Sequence, residues 1–250
     1  MAEEKEVSQE KLPEEEKKKL EEAVKEIDEI EKKRQEILEK WKPKTKLGKM
    51  VLEGKIKSID EILEKGLKIK EPEIVDYLIP DLKQELILIG GRTGKGGGIQ
   101  RIPVRITAKV TKSGKRFHYT FFAVVGNENG IIGMGKGRSN EPRIALQKAI
   151  RNAKLNLIKV KRGCGSWECG CGTEHSIPYK VEGKCGSVRV VLMPAPKGVG
   201  LVANDEAKKI FRLAGIKDIW MKSFGVTATR MNFAKAIFNA LKKLYVYERK

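Results

Sequence analysis

Positions at steps of three and four run from Leu20 through Val24, Ile27, Ile30, Arg34 and Ile37 or Leu38 to Trp41, all apolar but Arg34. This spacing predicts one apolar stripe on a charged helical rod, with Pro13 suited to a first helical turn. The stripe is too brief to fix a heptad. A solvated helix laid on a neighbour, a short coiled coil and disorder all stay open. Residues 42–98 read as a connector. Ser58 and Glu61 make a capping box, and Pro72 suits a second helix start. The sparse Ile59, Ile62, Leu63, Ile74 and Leu78 need a larger body to pack against. The connector ends in a flexible basic loop, Gly90 to Gly98, with six glycines and the cations Arg92 and Lys95.

From Ile102 to Val110 the period drops to two. Ile102, Val104, Ile106, Ala108 and Val110 alternate with Pro103, Arg105, Thr107 and Lys109, which predicts a half-buried strand with a partly basic outer face. Lys112 to Lys115 reads as a hairpin turn, Arg116 to Val125 as a second strand, Gly126 to Gly130 as another turn, and Ile131 to Lys136 as a third strand. A helix opens around Ser139 to Pro142 with Leu146, Ile150, Ala153 and Leu157 on its inner face. A second unit follows. Its strands lie between Val181 and Leu192, broken near Gly183 to Gly186. Then come a loop over Pro194 to Gly200, a helix from Asp205 to Ala214 and a strand from Ile216 to Trp220. The final helix carries a stripe of Ala234, Ile237, Phe238, Leu241 and Leu244. The fold class is α+β.

Charge narrows the function. The chain carries a formal +19. From Lys83 to Arg162 there are eighteen Lys or Arg against three Glu and no Asp, a net +15 in 80 residues. A folded unit at that charge repels itself unless it lies against a polyanion, and nucleic acid is the usual one. The candidate phosphate contacts are Arg92, Lys95, Arg101, Arg105, Lys112, Lys115, Arg116, Lys136, Arg138 and Arg143. Residues 1–40 run the other way, with fifteen acidic and ten basic side chains. No run approaches the roughly 20 apolar residues of a membrane span, and the N-terminus lacks a signal-peptide pattern. A cytoplasmic protein with no membrane partner is expected.

Two motifs carry candidate chemistry. Gly130, Gly135 and Lys136 imitate a nucleotide-binding loop, but Gly137 stands where a magnesium-holding Ser or Thr would be. A glycine strand that lets RNA approach its backbone is the better reading. Phe117, Phe121 and Phe122 are read as core rather than stacking platforms. Cys164, Cys169, Cys171 and His175 place four soft ligands in twelve residues, among glycines that let a short loop wrap an ion. That donor set suits tetrahedral zinc. Cys185 is the alternative fourth ligand. No hydrolase triad or paired carboxylates occur, so no catalytic residue is assigned.

The residues also carry a resemblance. Phe122 to Lys136, Ile144 to Ile150, Gly183 to Val188, Pro194 to Gly200, Leu213 to Asp218 and Asn232 to Ala236 resemble, in order, the universal S-five family of small-subunit ribosomal proteins. Thr45 to Lys49 and Ile56 to Ser58 are similar to its archaeal and eukaryotic branch. The resemblance implies a double-stranded-RNA-binding-like domain followed by a second α+β domain with a left-handed crossover. It implies a structural, non-catalytic constituent of the small subunit that contacts ribosomal RNA where messenger RNA enters. It further implies neighbours of the S-three, S-four and S-eight families, and a part in decoding accuracy. Lys112, Lys115 and Arg116 map onto the hairpin that reaches ribosomal RNA. The expected divisions are 1–41, 42–98, 99–160, the Cys/His turn 161–176, and 177–250. A free-standing RNA-modifying or unwinding enzyme is the alternative.

Overall fold

The computed structural model describes residues 41–93 and 97–246. The expected N-terminal helix before Trp41 and the candidate Lys95 lie outside the described residues. Three short helices open the described chain: α1 (Lys46–Leu52), α2 (Ile59–Glu64) and α3 (Glu73–Leu78). The sequence predicts only the last two. Ser58 caps α2 as expected, accepting from the Glu61 amide. Thr45 caps α1 the same way, accepting from the Gly48 amide. The missed signal was therefore a lone Thr cap before a seven-residue stretch with two lysines. Ile59, Ile62 and Ile74 pack with Trp41 against Val125, Ile131, Ala153 and Leu157, which supplies the larger body they required.

The first sheet has β1 (Lys83–Leu86), β4 (Arg105–Thr111), β5 (Gly114–Gly126), β6 (Ile131–Ser139) and β7 (Leu157–Lys159). Helix α4 (Pro142–Leu155) covers one face. Lys83–Leu86, expected as part of the connector, instead pairs with the far end of β5. The glycine loop is also corrected. Its ends pair as β2 (Gly90–Thr93) and β3 (Ile99–Ile102), a two-stranded finger. The single strand expected over Ile102 to Val110 breaks at Pro103, which has no amide to give a ladder, and resumes at Arg105.

Glycine sets how close α4 comes. Gly133, Gly135 and Gly137 alternate along β6 and face Ala145, Ala149 and Ala153, one turn apart on α4. A Cβ on Gly135 would stand 2.2 Å from the Ala153 nitrogen, and one on Gly137 would stand 2.1 Å from the Ala145 carbonyl oxygen. These glycines therefore serve helix packing, not the close approach of RNA expected of them. The inner face of α4 accordingly shifts to its alanines, with Leu146 and Ile150 half-buried.

The second sheet orders β10 (Leu201–Val202), β11 (Ile219–Phe224), β9 (Val188–Pro194) and β8 (Val181–Cys185). The parallel pair β10/β11 is joined through α5 (Asp205–Leu213). Helix α6 (Arg230–Val246) lies on the sheet with Ala234, Ile237, Leu241 and Leu244 fully buried, each large one worth about 1.5–3 kcal/mol. One apolar cluster runs through both sheets, from Phe122, Val124 and Ile132 to Leu192, Phe211 and Leu241. The 126–130 turn bolts them together: the Glu128 and Gly130 amides donate to the Leu213 and Ala214 carbonyls. Buried Glu206 adds a polar tie, accepting from the Leu88 amide at 3.0 Å and facing Lys209 and Arg230.

Candidate nucleic-acid interface and metal centre

Register decides what each face of the first sheet offers. Strand β5 pairs with β4 from Gly114 to Thr120, but with β6 only from Tyr119 onward. The 107–118 stretch is therefore a bare two-stranded ribbon beyond the covered sheet. Paired residues share a face. Rows Arg105/Thr120/Arg138, Lys109/Arg116 and Phe122/Lys136 put Arg105, Lys109, Arg116, Lys136 and Arg138 on one side. Inboard, that side carries Phe122 and Val124 into the shared core. Lys112 sits at the tip. The other side continues the face that α4 covers and carries Ile106, Ala108, Val110, Lys115, Phe117 and Tyr119.

This overturns the half-buried strand expected over Ile102 to Val110. Ile106 is 51% and Val110 78% exposed, because α4 ends before it reaches them. Phe121 and Phe122 are core as expected, but Phe117 is exposed under the Lys115 ammonium, 5.2 Å from its centroid. Lys115 therefore leaves the cationic face that its neighbour Arg116 joins.

Other candidates scatter. Arg92 and Arg105 line one open groove with Thr229, Arg230 and Asn232 at the start of α6, about 1010 Å³ in volume. Arg101 is one row away from Arg92 on the finger and faces oppositely. Arg143 is exposed on the first turn of α4. None of these described candidates has an ion-pair partner among the described residues. Cations elsewhere do: Lys154 with Asp76 at 2.6 Å, Lys83 with Glu128 at 2.7 Å, and Lys159 with Asp60 and Glu64 at 3.0 Å. Lys136 lies mid-strand in an antiparallel sheet, where no phosphate loop can form.

The Cys/His turn is closed at its base by reciprocal bonds between Gly163 and Ser176. Above it, one ligand atom each from Cys164, Cys169, Cys171 and His175 lies within 4.8 Å of the others. Cys169 Sγ is 3.2 Å from Cys171 Sγ and 3.9 Å from His175 Nε2. Bonds of about 2.3 Å to sulfur and 2.0 Å to nitrogen in a tetrahedron need ligand separations near 3.5–3.8 Å, so the donor set fits a small dication. Cys185 sits on β8 beside the core and outside this group. Asp218, given no part in the Cys/His turn by the sequence, orients the imidazole: its Oδ2 is 2.8 Å from His175 Nδ1, with both side chains buried. It accepts the Nδ1 proton, which leaves the Nε2 lone pair aimed at the thiols. Its Oδ1 accepts from the Gly198 and Gly200 amides. The Thr173 hydroxyl draws the Cys171 thiol down to about 6, whereas removal from water pushes the half-buried Cys164 thiol up.

A two-unit α+β protein with a bare cationic sheet face and a Cys3His turn is thus defined. A family model described as Ribosomal protein S5, N-terminal domain, matches residues 100–161, and one described as Ribosomal protein S5, C-terminal domain, matches residues 183–250. Small ribosomal subunit protein uS5 of Nanoarchaeum equitans is 58% identical, covering 83% of this chain and 89% of its own length. That of Staphylothermus marinus is 54% identical over 85% and 92%, and that of Methanocaldococcus jannaschii 53% over 83% and 88%. The chain belongs to the ribosomal protein uS5 family, on its archaeal branch.

Proposed function

We propose that the protein is a structural, non-catalytic constituent of the small ribosomal subunit in the cytoplasm, binding ribosomal RNA through the β4–β5–β6 face. The observation that carries this is the set of cations without ion-pair partners on one sheet side: Arg105, Lys136 and Arg138 on the sheet, and Lys109 and Arg116 on the ribbon that runs past it with no core beneath. A strand pair that reaches past its own helix gains nothing within the monomer, yet it can follow a groove between phosphates. Lys112 at the tip and Arg92 in the neighbouring groove extend the same surface. No described helix is long and apolar enough to cross a membrane.

The finer reading follows the family: contact near the path along which messenger RNA enters, neighbours of the S-three, S-four and S-eight families, and support for decoding accuracy. The divisions 99–160 and 177–250 are proposed as an RNA-binding-like α+β domain and a C-terminal α+β domain. The Cys3His cluster is proposed to hold one zinc ion, with Cys164, Cys169, Cys171 and His175 as ligands and Asp218 behind the histidine. Zinc there supplies cross-linking of the turn, not reaction chemistry, since all four positions are protein ligands.

The test is reconstitution of small subunits with the wild-type chain and with a Lys112, Lys115 and Arg116 to Ala triple variant. The wild-type chain should co-sediment with subunits after a moderate salt wash, and the variant should fall behind or translate structured messengers poorly. Normal incorporation, speed and accuracy of the triple variant would reject the site. RNA modification or nucleotide hydrolysis by the isolated chain would reject the non-catalytic reading.

A further inference from the structure

The Cys/His turn carries a side chain that neither the metal nor the fold uses. Trp167 is 91% exposed, whereas Trp41 is buried and Trp220 half-buried. It is not on a loose loop. Ser166 beside it is buried, and the Cys169 amide donates to the Ser166 carbonyl at 3.3 Å. Gly165 sits so tightly on Pro178 that a Cβ would stand 2.0 Å from its carbonyl oxygen. Two of the four cluster members, Cys164 and Cys169, stand three residues before and two after Trp167 in the sequence. Its backbone is therefore fixed before anything binds, and an indole on a fixed base loses little entropy when covered.

Charge identifies what covers it. From Gly163 to Tyr179 there are two Glu and no Lys or Arg, in a chain of net +19. Three thiolates around a dication leave the centre itself formally negative by one charge. Arg162, next to the turn in sequence, is held by Asn129 and by Glu174 at 3.2 Å. Within 163–179 a phosphate backbone finds no cation to neutralise it, unlike on the ribbon. A guanidinium or ammonium would be drawn in by Glu168, the turn's carboxylate outside the Arg162–Glu174 pair, and would stack on the indole face.

We infer that Trp167 anchors a protein-docking surface on the metal-held turn, and that its partner is a Lys/Arg-rich polypeptide segment of another protein in the assembled subunit. This rests on the assembly reading above. The test uses the full, zinc-loaded chain with a benzophenone amino acid in place of Trp167. The chain is reconstituted into small subunits and irradiated, and the cross-linked peptide is sequenced by mass spectrometry. A cross-link to a basic segment of another protein is expected. A cross-link to RNA, to a second copy of this chain, or to nothing would overturn the inference while leaving the RNA-binding reading intact. Failure of the chain to enter subunits at all would bring down both. In competition with wild type, Trp167→Ala should enter subunits at least about tenfold less well. Trp167→Phe should recover part of that, and Glu168→Lys should mimic the loss. Melting and zinc content of Trp167→Ala should match wild type; loss of zinc would make the residue structural and sink the proposal.

Discussion

The ribbon and the Cys/His turn both lack a hydrophobic core of their own, and they keep their shapes by different means. The ribbon is held by a backbone ladder of five paired positions from Thr107/His118 to Thr111/Gly114. The turn has one reciprocal pair of backbone bonds at its base and a few isolated ones above it, and its side chains converge on four clustered donor atoms and the His175–Asp218 pair. Their electrostatics are opposite: unpaired cations on one, carboxylates and thiolates on the other. Shape without a core thus comes either from distributed weak bonds, hard to break at one residue, or from one strong centre, easy to break at any ligand.

The largest effect should fall on the metal centre. His175→Ala should lower zinc affinity by more than about 100-fold, and Cys185→Ser should leave it unchanged, with elemental analysis and competition against a chelator as the readout. Equal loss in both variants would place Cys185 in the centre. Asp218→Asn should cost roughly 10–100-fold, because the amide cannot hold the Nδ1 proton in the same way. An unchanged affinity would make the Asp218 contact incidental.

Next comes the platform from which the ribbon springs. Gly135→Ala forces the new methyl into the α4 backbone, and overpacking of this kind costs about 1–3 kcal/mol in a denaturant melt. By contrast, replacing Lys112, Lys115 and Arg116 together should shift the melt by under about 0.5 kcal/mol. A larger loss would mean that these cations support the fold.

The thiols give a smaller, pH-dependent signature in the metal-free chain. With its pKa drawn down from 9.0 to about 6, Cys171 favours the folded state as thiolate. That contribution is fully present above the unfolded value and is lost as pH falls through about 6. At neutral pH, Cys171 should alkylate faster than Cys164, whose thiol is pushed up. Equal rates at the two thiols would contradict the Thr173 contact.

Legibility followed local physics. The stripe on α6, the capping box at Ser58 and the ligand set in the turn are nearest-neighbour patterns, and the sequence displays them directly. Alternation over Ile102 to Val110 correctly gave two faces to a strand. It could not tell that α4 stops short and leaves Ile106 and Val110 bare, because coverage depends on a partner far along the chain. The glycines of β6 were visible, but their use was not: their match to Ala145, Ala149 and Ala153 appears only when strand and helix are juxtaposed. Asp218 lies 43 residues from His175 and had no local signature beyond being an acid after a helix. The cations were legible as a total charge, while their division between two faces, with Lys115 opposite Arg116, required the register.

The central claim is that the sheet face carrying Arg105, Lys109, Arg116, Lys136 and Arg138 meets phosphates. The direct measurement is affinity of the full chain for small-subunit ribosomal RNA across a series of salt concentrations, for wild type and for Lys109→Ala with Arg116→Ala. The slope of log affinity against log salt should become shallower by about 0.7–0.9 for each phosphate that the variant no longer neutralises, with unchanged melting. Parallel lines of equal affinity for the two proteins would contradict it.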